Sequence, residues 1–408
     1  LILKGRYFVL CTAILFGFTS LFADAKCRKK GKRKAVQKVT RPALIPLQNA
    51  AASEFQDFIR KCKSLIKGGE GPVRVFILGD SHMQCEDFGN GLRDYFTDSL
   101  RIPYAGRSFA FPYPLARTSH RSEMLFGPTA NWRGTRFTKE GIKSDWGLAG
   151  FTAHWDGDST TFDWRTSNGS FRKGDDILIF SPERCAHAFR LSMIDTSGNK
   201  QSLFYNHQKR GFEGSIAMDC KRISFDLKRS EPGNLDFVHQ GFLLFPKRNG
   251  LVCGISGTNG ARLDHYLQSP EFQRHLATLN PDLMVVCLGT NDAFTPDFNP
   301  AFVRGFLEML LAKIKSAAPG TAVLLVGPPD HKNGKKVNPR TSAINSLFAE
   351  TADQLDFTFW NQQRAMGGPG SIFHWYRQHL ATRDMVHFTT SGYRLQARLL
   401  GRSIKAAF

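Results

Sequence analysis

The sequence predicts an α/β protein in which a parallel sheet, covered by helices on both faces, is interrupted by an inserted all-β module. Three observations predict it. Short apolar runs alternate with helical patterns at both ends of the chain, and that rhythm builds parallel sheets. Between about 105 and 250 the rhythm gives way to short aromatic-rich runs punctuated by Gly, Ser, Thr, Asn and Asp. With 408 residues, 41% of them hydrophobic, the chain has enough apolar material for one large core and a smaller module.

The elements follow in order. Residues 45–68 read as a helix with Leu47, Phe55, Phe58, Ile59 and Leu65 on its apolar side, broken by "GGEGP". "VRVFIL" is a buried parallel strand. It ends in Gly-Asp-Ser-His, after which Phe88, Leu92, Tyr95 and Phe96 fall on one helical face. Runs such as "STTFDW", "DILIFS", "ISFDL" and "GFLLF" read as antiparallel strands of a sandwich or jelly roll. "DLMVVCLG" restores the buried-strand pattern. The helix from Pro300 is capped by Asn299 and stops near Pro319-Gly320, with Phe302, Phe306, Leu310 and Ile314 lining one face. "TAVLLVGPP", a helix over 340–354, the strand "LDFTFW" and a closing helix from Ser391 complete the second half.

Lys and Arg total 55 against 35 acids, a formal charge of +20, which points to acidic surroundings. Residues 1–25 read as a signal peptide, with Lys4 and Arg6 before an apolar run and "ADA" as the cleavage site. Its removal takes Lys4, Arg6 and Asp24 and leaves +19. The expected protein is therefore exported, periplasmic or associated with the cell envelope. Nine positive charges lie between Lys26 and Arg41, so 26–44 reads as a basic disordered linker, a solvated spacer or a tether to an anionic envelope. The expected α/β domain is discontinuous, 45–104 and 251–408, with 105–250 as the inserted sandwich. No CxxC or zinc spacing occurs. Cys185 and Cys220 are a candidate disulfide, whereas Cys253 and Cys287 read as packed thiols.

Four stretches carry chemistry. In "VFILGDSHMQ", Ser81 sits where a strand turns into a helix, so its hydroxyl lies at the carboxyl edge of the sheet. A serine there is a helix cap or a nucleophile. "GISGTNGARL" offers the bare backbone N–H of Gly260, with Gly257 as the alternative, and "GTNDAF" offers the Asn291 amide. "DMVH" places Asp384 three residues before His387, a spacing that lets the carboxylate reach Nδ1 and leaves Nε2 to face a serine. Asp80 and Asp292 read as loop braces. GxSxG, HExxH, P-loop and GxGxxG motifs are missing from the sequence, so no metal or nucleotide cofactor is expected.

Together and in this order, "GDSH", "GTNGA", "CLGTND" and "DMVH" resemble the blocks of the SGNH (GDSL-like) hydrolase family over 72–100 and 251–408. The resemblance implies a three-layer α/β/α fold with Ser81 as nucleophile, His387 as base and Asp384 as its orienting partner. Ser81 N–H, Gly260 N–H and the Asn291 amide would form the oxyanion hole. The position of the β-rich insertion is similar to that in bacterial peptidoglycan O-acetylesterases, which carry a carbohydrate-binding-like module there. This implies a serine esterase removing O-acetyl groups from an envelope glycan, with no cofactor and no nucleic-acid partner. Other acetylated polysaccharides, lipid esters, or a glycan-binding or O-acetyl-transferring role are the alternatives. Trp132, Trp146, Trp155, Trp164 and Trp375 are candidate sugar-stacking platforms.

Overall fold

The computed structural model describes residues 42–118, 121–167 and 171–408. The leader and nearly all of the basic tract lie outside the described residues.

Six parallel strands make the central sheet: β1 (Pro72–Gly79), β2 (Tyr104–Arg107), β3 (Gly250–Gly257), β4 (Leu283–Cys287), β5 (Ala322–Val326) and β6 (Thr358–Trp360). Their spatial order is β2-β3-β1-β4-β5-β6. β1 pairs with β3 and β4, so the strand that ends in the Ser81 corner lies inside the sheet, flanked by the strands that lead to Gly260 and Asn291. Both faces are buried. Val73, Val75 and Ile77 face one core, and Phe76 and Leu78 face the other. This explains why the strands read as unbroken apolar runs.

The first core is closed by helices Ser53–Ile66, Asp87–Asp94 and Thr390–Lys405, through Phe58, Phe88 and Tyr393 among others. The second is closed by Pro300–Ala317 and Arg340–Gln354. On Pro300–Ala317 the buried face is Val303, Leu307, Leu310, Leu311 and Ile314, while Phe302 is 64% exposed. The expected face was read at four-residue steps, which drift about 40° per step around a helix of 3.6 residues per turn. The first helix begins at Ser53, because Gln48 is drawn instead into a bridge with Phe359.

β2 pairs with β3 across Leu251–Cys253, so residues 104–107 belong to the central sheet. Beyond them come two five-stranded antiparallel sheets and a smaller three-stranded one. Trp164 of one large sheet lies 4.4 Å, ring to ring, from Phe242 of the other. Aromatic side chains fill this interior, and the five tryptophans expected as sugar platforms are part of it or of the α/β core. Their exposures are 2% for Trp132, 4% for Trp146 and Trp155, and 0% for Trp164 and Trp375. Packing, not glycan, takes their faces. Cys185 and Cys220 are free thiols, which removes the candidate disulfide, and Cys253 and Cys287 are buried thiols. The module is not an appendage. Phe109 packs edge-on against Phe76 of β1, and one apolar cluster runs from the sheet through the sandwich.

Candidate active site

The strand-to-helix corner is built from β1 outward. Gly79 closes the strand where a Cβ would lie 2.4 Å from Met83 and 2.5 Å from the Cys287 carbonyl, so only glycine fits. The buried Asp80 carboxylate then accepts the His82 N–H at 2.9 Å and fixes the turn. This leaves Ser81 at the carboxyl edge of the sheet.

His387 reaches that serine from the other end of the chain. Ser81 Oγ and His387 Nε2 are 2.9 Å apart, and His387 Nδ1 and Asp384 Oδ2 are 2.7 Å apart. The second Asp384 oxygen accepts the Val386 and His387 N–H groups at 2.9 and 3.0 Å and the Thr382 hydroxyl at 2.7 Å. These four residues thus form a closed loop that aims the imidazole. Burial pushes the Asp384 carboxyl up, but the His387 hydrogen bond and the three loop donors outweigh it and hold the group well below the usual carboxylate range. An ionised Asp384 makes Nδ1 the donor and leaves Nε2 to accept the Ser81 hydroxyl proton. The Asp384 hydrogen bond in turn raises the His387 pKa above its ordinary value, against an opposing contribution from burial.

The side of the site opposite His387 is shaped by the loop after β3. Nothing among the described residues accepts the Ser81 or Gly260 N–H. Gly260 has φ +81 with open space around its missing Cβ, so the backbone conformation, not crowding, calls for glycine. The loop is pinned on both sides: Asn259 N–H donates to Gln84 at 2.7 Å, and the Thr258 hydroxyl donates to the Ala149 carbonyl of the module at 2.6 Å. Gly257 is excluded as the alternative donor. Its N–H is bonded to Tyr113 at 3.0 Å, and a Cβ there would stand 2.4 Å from the Asp80 carbonyl. Gly257 is a spacer that lets the serine corner approach β3.

Asn291 completes the cluster. Its amide donates to the Ala261 carbonyl at 2.9 Å and to Asp80 at 3.3 Å. Both hydrogens are thus engaged, and an incoming oxyanion would compete with the longer bond to Asp80. Burial pushes the Asp80 and Asp292 carboxyls up to about 7 each. Asp292 accepts the Leu263 N–H at 3.2 Å, so both aspartates do brace loops. His82 is buried, its Nδ1 is 2.9 Å from the Tyr393 hydroxyl, and burial followed by the nearby His387 keeps its pKa far below the ordinary value. It is a neutral neighbour of the cluster. Among the described residues no group of three or more His, Cys, Asp or Glu side chains is placed to hold a metal ion.

Sequence reasoning missed the residues that brace this site, from the α/β core as well as from the module. Tyr113 holds Gly257, Tyr266 donates to the Gly79 carbonyl at 2.6 Å, and Arg107 forms a fully buried pair with Glu86 just after the serine corner. Ser122 also bonds Glu86. None of these lies at a fixed spacing from a motif, so no local signal announces them.

The GDSL-like Lipase/Acylhydrolase family matches residues 236–395. Among solved structures, a peptidoglycan O-acetylesterase superposes with a TM-score of 0.72 at 22% identity, covering 88% of this chain and 98% of that one. A catalytic mutant of an acetylxylan esterase from Geobacillus stearothermophilus aligns with a TM-score of 0.31 at 16% identity over 38% of this chain and 73% of that one. A family two carbohydrate esterase from Clostridium thermocellum, in complex with cellohexaose, aligns with a TM-score of 0.30 at 12% identity over 62% and 94%. No curated protein sequence matches the chain. Residues 236–395, which hold Gly260, Asn291, Asp384 and His387, match the GDSL-like lipase/acylhydrolase family, and the chain as a whole has the α/β fold with inserted β sheets of the first of these esterases.

Proposed function

We propose that the chain is an exported serine esterase that removes O-acetyl groups from peptidoglycan. The observation that carries the chemistry is the continuous line Ser81–His387–Asp384, with contacts of 2.9 and 2.7 Å, beside the Ser81 and Gly260 N–H groups, which no described residue engages. Ser81 Oγ attacks the acetyl carbonyl carbon as its proton passes to His387 Nε2. The carbonyl oxygen becomes an oxyanion facing the Ser81 and Gly260 N–H groups and the Asn291 amide. The bond to the sugar oxygen breaks, that oxygen takes the proton from His387, and acetyl-Ser81 remains. Water then attacks the acetyl carbonyl, its proton goes to His387, and collapse releases acetate and returns the proton to Ser81.

The glycan is suggested by the whole-chain likeness to a peptidoglycan O-acetylesterase and by the openness of the site. The His387 and Asp384 side chains are 39% and 49% exposed, which suits a bulky polymer presenting a short acyl group. The charge, +20 for the full sequence and +19 once the leader is removed, favours an anionic envelope polymer. The test is acid release from O-acetylated peptidoglycan, acetylated xylan and a long-chain ester by the wild type and by Ser81→Ala. Acetate from peptidoglycan, lost in Ser81→Ala, supports the reading. Release of long-chain acid alone overturns it.

A further inference from the structure

The hairpin at 332–337 stands at the rim of the candidate site and has no evident structural reason for its composition. Lys332 pairs with Val337 and Asn333 with Lys336, across a turn at Gly334 (φ +62) and Lys335. Its base is fixed between the two loops that frame the cleft. On the Asn291 side, the Asn338 amide donates to the Ala293 carbonyl at 3.1 Å, and the His331 ring lies 5.0 Å from the Phe294 ring. On the His387 side, the Lys332 N–H donates to the Met385 carbonyl at 3.1 Å. Below, Asp330 accepts the Gln363 amide and the Gly370 and Ile372 N–H groups, each at 2.9 Å. Buried polar bonds therefore hold the hairpin rigidly, and its tip projects Lys335 and Lys336 into solvent.

Their place at the rim sets these lysines apart. Elsewhere Lys200, Lys209, Lys247 and Lys315 are paired with Asp226, Glu213, Asp176 and Glu54, and exposed lysines without an acidic partner among the described residues, such as Lys63, Lys139 and Lys221, lie on other elements. Among the described residues, no acid lies within ion-pair distance of Lys332, Lys335 or Lys336, nor of Arg383, the exposed neighbour of Asp384. A rigid edge with unneutralised cations is complementary to fixed anions on a bound polymer.

We propose that Lys332, Lys335 and Lys336, with Arg383 across the cleft edge, form a specificity element that takes carboxylates flanking the O-acetyl group of an acidic glycan. This rests on the esterase reading of the site and names the charge its substrate must carry. The carboxylates of peptidoglycan peptide stems have that chemistry. The lysines act on the polymer and not on the reacting carbonyl, so their effect belongs in KM. His387 takes its shift from Asp384 and Asp80, so the pH profile should keep its midpoint when they are changed.

The experiment compares the wild type with a Lys332→Gln/Lys335→Gln/Lys336→Gln variant on O-acetylated peptidoglycan, on the same polymer with its carboxylates amidated, and on p-nitrophenyl acetate. At low salt the variant should raise KM on the acidic polymer about tenfold more than on the small ester, with kcat kept. Wild type should lose a similar factor on the amidated polymer, and about 0.5 M salt should erase the difference. An unchanged KM on the acidic polymer, or a rise that persists on the amidated one, overturns the proposal. Failure of the peptidoglycan reading looks different: the wild type then cleaves p-nitrophenyl acetate and releases nothing from peptidoglycan. In that case acetylated polygalacturonate against acetylated xylan supplies the acidic and neutral pair, and a preference ratio the variant leaves in place sinks the assignment. Co-sedimentation of Ser81→Ala with insoluble peptidoglycan, with and without the three substitutions, reads the same contact without turnover.

Discussion

At the scale of single residues, the closed loop around Asp384 makes the pH dependence predictable in sign. The proposed base must be neutral to accept the Ser81 proton, and the Asp384 hydrogen bond raises its pKa. Activity on p-nitrophenyl acetate should therefore rise with pH through a midpoint above the ordinary histidine value of about 6.5. Asp384→Asn removes the largest raising contribution, so the midpoint should move to lower pH while kcat falls by up to about 10⁴-fold. A midpoint unmoved by that change, measured from the pH profile of kcat/KM, would show that another group sets the acidic limb. His82 is a poor alternative, because burial already keeps it neutral across this range. Asn291→Ala should lower kcat by roughly 10²–10³, the effect of losing one oxyanion donor. Here the structure adds a constraint: the donor must loosen its 3.3 Å bond to Asp80 as charge develops. A change confined to KM would assign Asn291 to ground-state positioning instead.

Elements explain which parts of the site could be read in advance. Ser81 directly follows a strand and Asn291 directly precedes a short helix, so the parallel strands bring them together, whereas Asp384 and His387 lie in the loop before the helix at Thr390 and only their three-residue spacing and the order of the blocks marked them. β3 was harder, because "GLVCGISG" carries three glycines that argue against a strand interior. All three are explained by close approach: a Cβ at Gly250 would meet the Pro103 carbonyl at 2.4 Å, one at Gly254 would meet Ser108 at 2.5 Å, and one at Gly257 would meet the Asp80 carbonyl at 2.4 Å. Gly257→Ala should accordingly displace the serine corner and cost both activity and thermal stability. Gly260→Ala should cost less stability, since only its φ is strained. The Glu86–Arg107 pair was invisible because its partners are 21 residues apart on different elements. Arg107→Met should destabilise the protein by about 3–5 kcal/mol by stranding a buried carboxylate. Adding Glu86→Gln should recover part of that loss. Denaturant unfolding of the two single variants and the double variant measures the coupling, and additive losses would mean that the ions act independently.

For the whole molecule, the sequence suggests a module that could be cut away with small-ester hydrolysis spared, because its strands form a contiguous block between two α/β segments. The structure gives the opposite expectation. One apolar cluster joins the central sheet to the sandwich, and the module supplies Tyr113 to Gly257 and the Ala149 carbonyl to Thr258. The tryptophans show why this was hard to see: an aromatic-rich β block reads equally as a sugar platform and as a filled interior, and burial decides between them only after folding. Deleting residues 111–240 should therefore abolish hydrolysis of small and polymeric esters alike and expose apolar surface. Such a deletion could fail merely by misfolding, so Tyr113→Phe is the sharper test. It keeps the ring in its packed position against Phe111 and Phe151 and removes only the hydroxyl that ties down Gly257. The buried Gly257 N–H loses its partner, a cost of about 1–3 kcal/mol, so the fold should persist. The loop before Gly260 would nevertheless lose its fixed register against the serine corner, and kcat on p-nitrophenyl acetate should drop several-fold with the unfolding midpoint nearly kept. A module that served only to gather glycan would give the reverse, with small-ester kcat intact and KM raised on the polymer alone.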